Sequence, residues 1–232
     1  MRMGEGFRLS FLFRVRLAIW HNTAMLLILT GDIQTGKTRW LERSIAELAA
    51  RGVQVEGVLA PGVWRINKNA SADAPAAERF EKLGIDNVLL PEGRRIRFAL
   101  RRDLAECADE VNNCSQSSRA QLGWEIFEDA LAEVNRHCAE LRRNAPALQS
   151  IGTSDAPRLL VIDELGRLEL ERDGGLTEAI TLLEEGPLHI NHHALIVVRN
   201  TLADTAMGRF AHIWGEAQFI APGDDTLMSI FG

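Results

Sequence analysis

The sequence predicts an α/β fold, a mainly parallel sheet with helices on both faces and a few added antiparallel strands. Three observations carry this expectation. Apolar runs suited to buried strands, "AMLLILT", "RLLVIDE" and "HALIVVRN", alternate with segments of helical spacing. The turn after the first run, "GDIQTGKT", is a glycine-flanked loop between a strand and a helix. The second run ends in adjacent acids, Asp163 and Glu164, at the strand end where parallel sheets present their ligands.

Residues 1–24 read as an N-terminal extension of uncertain role. Arg14 and Arg16 interrupt its apolar stretch and no small-residue cleavage site follows, which argues against a signal sequence. A packed extension and sequence upstream of a start at Met25 are the two favoured readings. Residues 25–232 read as one domain. After the loop, a helix is predicted from Lys37 to Arg51, with Leu41, Ile45, Leu48 and Ala49 at helical spacing and Gly52 as its stop. "VQVEGVLAP" alternates as a strand. Residues 67–82, rich in Ala, Ser and Asp, are expected to form an exposed insertion. "NVLLPEGRRIRFALRR" predicts two short strands about a Pro-Glu-Gly turn. A long helix is expected in the second half of "RAQLGWEIFEDALAEVNRHCAELRR". Residues 142–158, with two prolines, read as a connector, and "LTEAITLLEE" as a helix between the later strands.

The 232 residues suffice for a substantial core, and 46% apolar with 25% charged residues is ordinary for a globular protein. The net charge of -6 supplies no basic field, so nucleic acid is not the expected partner. No run approaches the roughly 18 apolar residues of a membrane span. Cys107, Cys114 and Cys138 are an odd number without a CxxC pair. They point away from a disulfide framework or zinc site and toward a reducing, cytoplasmic setting.

The loop from Gly31 to Thr38 has the spacing GxxxxGKT, and its chemistry follows from its position. A strand-to-helix turn aims backbone N–H groups and the positive end of a helix dipole at one spot, which suits a polyphosphate. Gly31, Asp32, Ile33, Gln34, Thr35 and Gly36 would cradle the phosphates. Lys37 would set a cation on the β and γ phosphates, and Thr38 would ligate Mg²⁺. Gln34 occupies a position where many such loops have glycine. Asp163, emerging beside the loop, would hold Mg²⁺ through water, and Glu164 would accept a proton from an attacking water or orient it. Gly166 is expected to let the chain turn close to the γ phosphate.

"GDIQTGKT", "VEGVLAPGV", "GRRIRFAL", "GWEIFEDALAEVN" and "VIDELGRLELE", in this order, resemble the thermostable nucleoside-triphosphatase family over most of the chain from Met25 to about Asn200. The likeness rests chiefly on the acidic motif, supplied here by Asp163, Glu164, Leu165, Gly166, Arg167, Leu168 and Glu169. The resemblance implies a RecA-like P-loop domain that hydrolyses ATP, GTP and other nucleoside triphosphates slowly with Mg²⁺. Three departures from the family touch base preference and any acceptor. They are Gln34, the insertion at 67–82, and a C-terminus without the Asn-Arg ending.

Other candidates weigh less. Arg199 and Asn200 end the strand after the acidic motif, where a γ-phosphate sensor often sits. Arg94, Arg95 and Arg97 are basic but read as a solvated face. Trp64 and Trp124 suit core packing more than base stacking. His192 and His193 start their strand, away from the phosphates, and His137 beside Cys138 makes no ligand cluster. Two alternatives to hydrolysis stand beside it: a kinase of a small acceptor, with its lid from the insertion and the 94–97 region, and a nucleotide-gated binding module.

Overall fold

The computed structural model describes residues 24–32, 35–71, 73, 75, 78–107, 123–150, 156–188 and 192–232. Its centre is a parallel array formed by β1 (Met25–Leu29), β2 (Gln54–Leu59), β7 (Arg158–Leu165), β8 (His192–Val198) and β9 (Glu216–Ile220). Across the sheet these run β2-β7-β8-β1-β9, all neighbours parallel. On the far side of β2 the sheet continues antiparallel through β4 (Phe80–Leu90), β5 (Arg94–Arg101) and β6 (Trp124–Ile126). β3 (Gly62–Ile66) pairs with the first half of β4.

Helices cover both faces of the parallel array because its strands are apolar on both sides. Leu27, Leu29, Leu159, Val161, Leu195 and Val197 face α1 (Lys37–Ala50) through Leu41, Ile45 and Leu48, and face α7 (Thr226–Ile230) through Leu227. The alternate residues Leu26, Ile28, Leu160, Ile162, Ala194 and Ile196 face three other helices. These are α3 (Glu128–Ser150), α5 (Thr177–Glu185) and α6 (Ala203–Trp214). Each large side chain so buried contributes roughly 1.5–3 kcal/mol, so this double-sided packing holds the strand ends in place. Two short helices, α2 (Arg102–Cys107) and α4 (Arg167–Glu171), and a 3-10 turn at Asn200–Leu202 complete the described elements.

The connections create a crevice. β1 leads into α1 on one face and onward to β2, whereas β8 leads into α6 on the other face and onward to β9. The two neighbouring strands therefore leave in opposite directions, the switch point at which open α/β sheets bind ligands beyond their carboxyl ends.

The outlying sheet departs from expectation. β3 was not foreseen, because four of its five positions are exposed and carry no burial signal. β4 begins at Phe80, so the expected insertion gives up its last residues to a strand. β6 is too short to show a period. The connector begins later than predicted, since α3 runs through Pro146 to Ser150. Arg142 pairs with Glu178 at 2.9 Å and Glu185 at 3.0 Å, which keeps this helix on α5. The first 23 residues and Cys114 lie outside the described residues. Cys138 is buried, its thiol pushed up to about 12 by that burial. Among the described residues no helix is long and apolar enough to cross a membrane.

Candidate active site

Beyond β1 the chain turns through Gly31, whose φ of 148° lies outside the range most side chains tolerate. Gly36, at φ 84°, caps α1 without any side-chain hydrogen bond to the helix end. The first-turn amides of α1 are thus left facing the loop, with no acidic side chain to neutralise them. Lys37 Nζ donates to the carbonyls of Gly31 at 2.8 Å and Asp32 at 2.7 Å, so the loop arches around its own lysine. Thr35 Oγ1 donates to Asp32 O at 2.9 Å and tightens the same arch. Burial lowers the Lys37 pKa, against the opposing field of Glu164. Ile33 and Gln34 lie outside the described residues.

Asp163 meets this loop. Its carboxylate is 2% exposed, with Oδ2 accepting from Ala60 N at 3.0 Å and Oδ1 from Thr38 Oγ1 at 3.4 Å. Burial pushes its pKa up to about 6 even though both hydrogen bonds favour the charged form. Among the described residues no salt bridge reaches it, and the more distant field of Lys82 offsets only part of the burial.

Glu164 is aimed by a backbone irregularity. Successive strand residues point to opposite faces, so in a regular β7 it would be directed away from Asp163. Instead the pairing with β8 slips between Ile162 and Leu165, and Glu164 takes φ 72°, the left-handed region. An inserted residue of this kind re-aims a side chain. Leu165 rejoins Leu160 and Ile162 in the same core layer, which confirms the extra residue. Glu164 Oε1 then accepts from Arg199 Nε at 3.3 Å and Nη2 at 3.2 Å.

β8 lies between β1 and β7, so its end reaches both halves of the site. Asn200 Oδ1 accepts from Thr30 Oγ1 at 2.8 Å, and its Nδ2 donates to Asp32 Oδ1 at 3.0 Å. Asn200 therefore fastens the loop between β1 and α1, while Arg199 holds Glu164. The structure brings Lys37, Thr38, Asp163, Glu164, Arg199 and Asn200 to one pole of the sheet.

Gly166 turns without a conformation reserved for glycine. Its φ of -108° is open to any residue, and its amide donates to Glu169 Oε2 at 2.9 Å. The other oxygen of Glu169 accepts from Leu176 N at 3.3 Å, and a Cβ on Gly175, at φ 69°, would collide with it at 1.9 Å. Glu169 thus knits the segment after β7, and its pKa is raised by burial. The arginine run is engaged elsewhere: Arg94 pairs with Glu133, Arg95 with Asp86 at 3.1 Å, and Arg97 lies 5.0 Å over Phe127.

One site neighbour escaped the sequence reading. Lys82 sits on β4, its ammonium 5.3 Å over the Trp124 ring, within the field of Asp163 and Glu164. No sequence signal singles it out, because it falls in the stretch read as insertion.

Thr38 and Asp163 fit Mg²⁺, which takes hard oxygen donors and needs only one or two protein ligands beside phosphates and water. Among the described residues no group of three or more His, Cys, Asp or Glu converges. No family model, curated protein or solved structure matches the chain.

Proposed function

We propose that this chain is a Mg²⁺-dependent nucleoside triphosphatase of the RecA-like P-loop type, cleaving ATP, GTP or related triphosphates to the diphosphate and phosphate. The single observation that carries the reading is the approach of Thr38 to Asp163 at 3.4 Å, across from a lysine cradled by its own loop. The placement of β8 between the loop strand and the acidic strand supports it, since one sheet pole then collects two anions' partners and a base. The resemblance to the thermostable nucleoside-triphosphatases adds the same expectation.

In this reading the α1 amides and Lys37 bind the polyphosphate, and Asp32 and Thr35 shape the loop. Thr38 and Asp163 would hold Mg²⁺, which supplies charge neutralisation on the β and γ oxygens when bound. Glu164, turned into the site by its backbone, takes a proton from water as the new P–O bond forms and the bond to the leaving diphosphate oxygen breaks. Arg199 keeps Glu164 oriented. Arg94, Arg95 and Arg97 pair with Glu133, Asp86 and the Phe127 ring, which favours hydrolysis over a kinase whose lid would draw on them.

A phosphate-release screen across nucleoside triphosphates, with and without Mg²⁺, tests the proposal. Release without any acceptor is expected, abolished in Lys37→Ala. Glu164→Gln should keep nucleotide binding and lose about a hundredfold or more in turnover. Full turnover in Glu164→Gln would remove the mechanism.

A further inference from the structure

Lys82 is held more firmly than a surface lysine. Its stem runs over Gly62, where a Cβ would lie 2.8 Å from Lys82 Cε and 2.6 Å from Trp64 Nε1. The stem therefore passes close over the β3 backbone at Gly62 and ends with its ammonium 5.3 Å from the Trp124 ring. The pairing of β3 with β4 slips beside it, Val63 facing Gly84 while Trp64 faces Lys82. This leaves Leu83 as the extra residue and redirects its neighbour, the same device that turns Glu164.

Three N–H donors sit at the end of this stem. Among the described residues none of them makes a hydrogen bond or ion pair, the ring of Trp124 being the recorded contact. A desolvated ammonium without an anion is costly. Burial lowers the Lys82 pKa, while Glu164 and Asp163 oppose that shift and Arg199 adds to it. Lys37 senses Glu164, Arg199 and Asp163 as well, in the same directions. Geometry places Lys82 at the same pole: Ala60 N donates to Asp163 Oδ2 at 3.0 Å, and Gly62, two residues further along, lies under the Lys82 stem, so Lys82 approaches the acidic pair from the antiparallel side and Lys37 from the β1 side.

We infer that Lys82 is a third cation of the active site, contributed by the outlying sheet, and that its ammonium takes an oxygen of the phosphoryl group being transferred. The inference rests on the triphosphatase reading above. It assigns the β3–β4 ribbon a purpose: to carry a positive charge to the side of the acidic pair that the phosphate loop does not reach. A charge placed there in advance acts on developing transition-state charge more than on the bound diphosphate.

The test uses the full chain with Lys82→Met, which keeps the stem, and Lys82→Arg, which keeps the charge. Phosphate release with Mg·ATP and Mg·GTP gives kcat and KM separately. Binding of the diphosphate with and without aluminium fluoride, a mimic of the transferred group, gives a ratio of affinities independent of the folded fraction. For Lys82→Met we expect kcat to fall about a hundredfold with KM changed less than about threefold, as for loss of one transition-state donor. The fluoride-dependent gain in affinity should shrink about tenfold while diphosphate binding stays near wild type, and Lys82→Arg should recover most of the loss. Wild-type kcat in Lys82→Met, or an unchanged fluoride ratio, overturns the inference and leaves the triphosphatase reading intact. A wild-type protein that releases no phosphate and binds diphosphate no better than Lys37→Ala overturns both.

Discussion

Strand β7 bears charge at both ends, and the two ends are built on opposite plans. At its start, Arg158 meets Glu56 at 3.4 Å, and His192 on β8 approaches the same carboxylate at 3.4 Å. Leu188 N donates to His192 Nδ1 at 3.1 Å, which leaves the proton on Nε2, facing Glu56. All three side chains are buried, and Trp214 closes the group edge-on against His192 at 5.7 Å. Burial raises the Glu56 pKa while Arg158 draws it back, so cation and anion answer each other within the fold. At the other end Asp163 is held by a hydroxyl and an amide rather than by an ion pair, Glu164 takes a left-handed backbone beside Arg199, and Lys37 and Lys82 lie further off. Charge that is internally closed holds strands together; charge left incomplete waits for a ligand. The difference separates the two poles without any motif.

The comparison can be broken at the closed pole first. Removing Arg158 strands Glu56 in a buried position, so Arg158→Met should cost about 3 kcal/mol in urea unfolding, with the folded protein turning over triphosphate at the wild-type rate. A loss of turnover at unchanged stability would show that the poles are coupled and the contrast false.

The open pole should respond in the reverse sense. Asp163 titrates near 6 in the folded chain, above its ordinary 3.8. Between those values the folded state keeps a proton that the unfolded state releases, so stability of metal-free protein falls as pH rises through the window and stays low above it. Asp163→Asn should therefore be more stable than the wild type at about pH 8, by on the order of 2 kcal/mol without Mg²⁺, the gain vanishing below about pH 4. Thermal unfolding across pH measures this, and a destabilised variant at high pH would refute it.

The smallest effect tests strain. Glu164→Gly relieves a left-handed residue at the cost of chain entropy, so stability should rise by less than about 1 kcal/mol while phosphate release stops. A clear loss of stability would mean that the pair with Arg199, not the backbone, governs that position.

The sequence made some of this legible and hid the rest for a physical reason. Gly31, Gly36, Lys37 and Thr38 announce themselves because a glycine-flanked strand-to-helix turn is built from adjacent residues whose dihedrals and N–H directions are set locally. The apolar strands announced themselves through burial on both faces. Asp163 was readable as the end of such a strand.

Only tertiary structure decided that Glu164 turns toward Arg199, that Asn200 fastens Asp32, that the Gly166 amide meets Glu169, and that Lys82 lies at this pole at all. Each depends on strand register, and a slip of one residue sends a side chain to the opposite face of a sheet. By itself the sequence determined which chemical groups the chain owns and the short-range geometry of one loop. Which distant groups share a space was settled by pairing across β4, β2, β7, β8 and β1, because that pairing is a property of the whole sheet and of no single stretch within it.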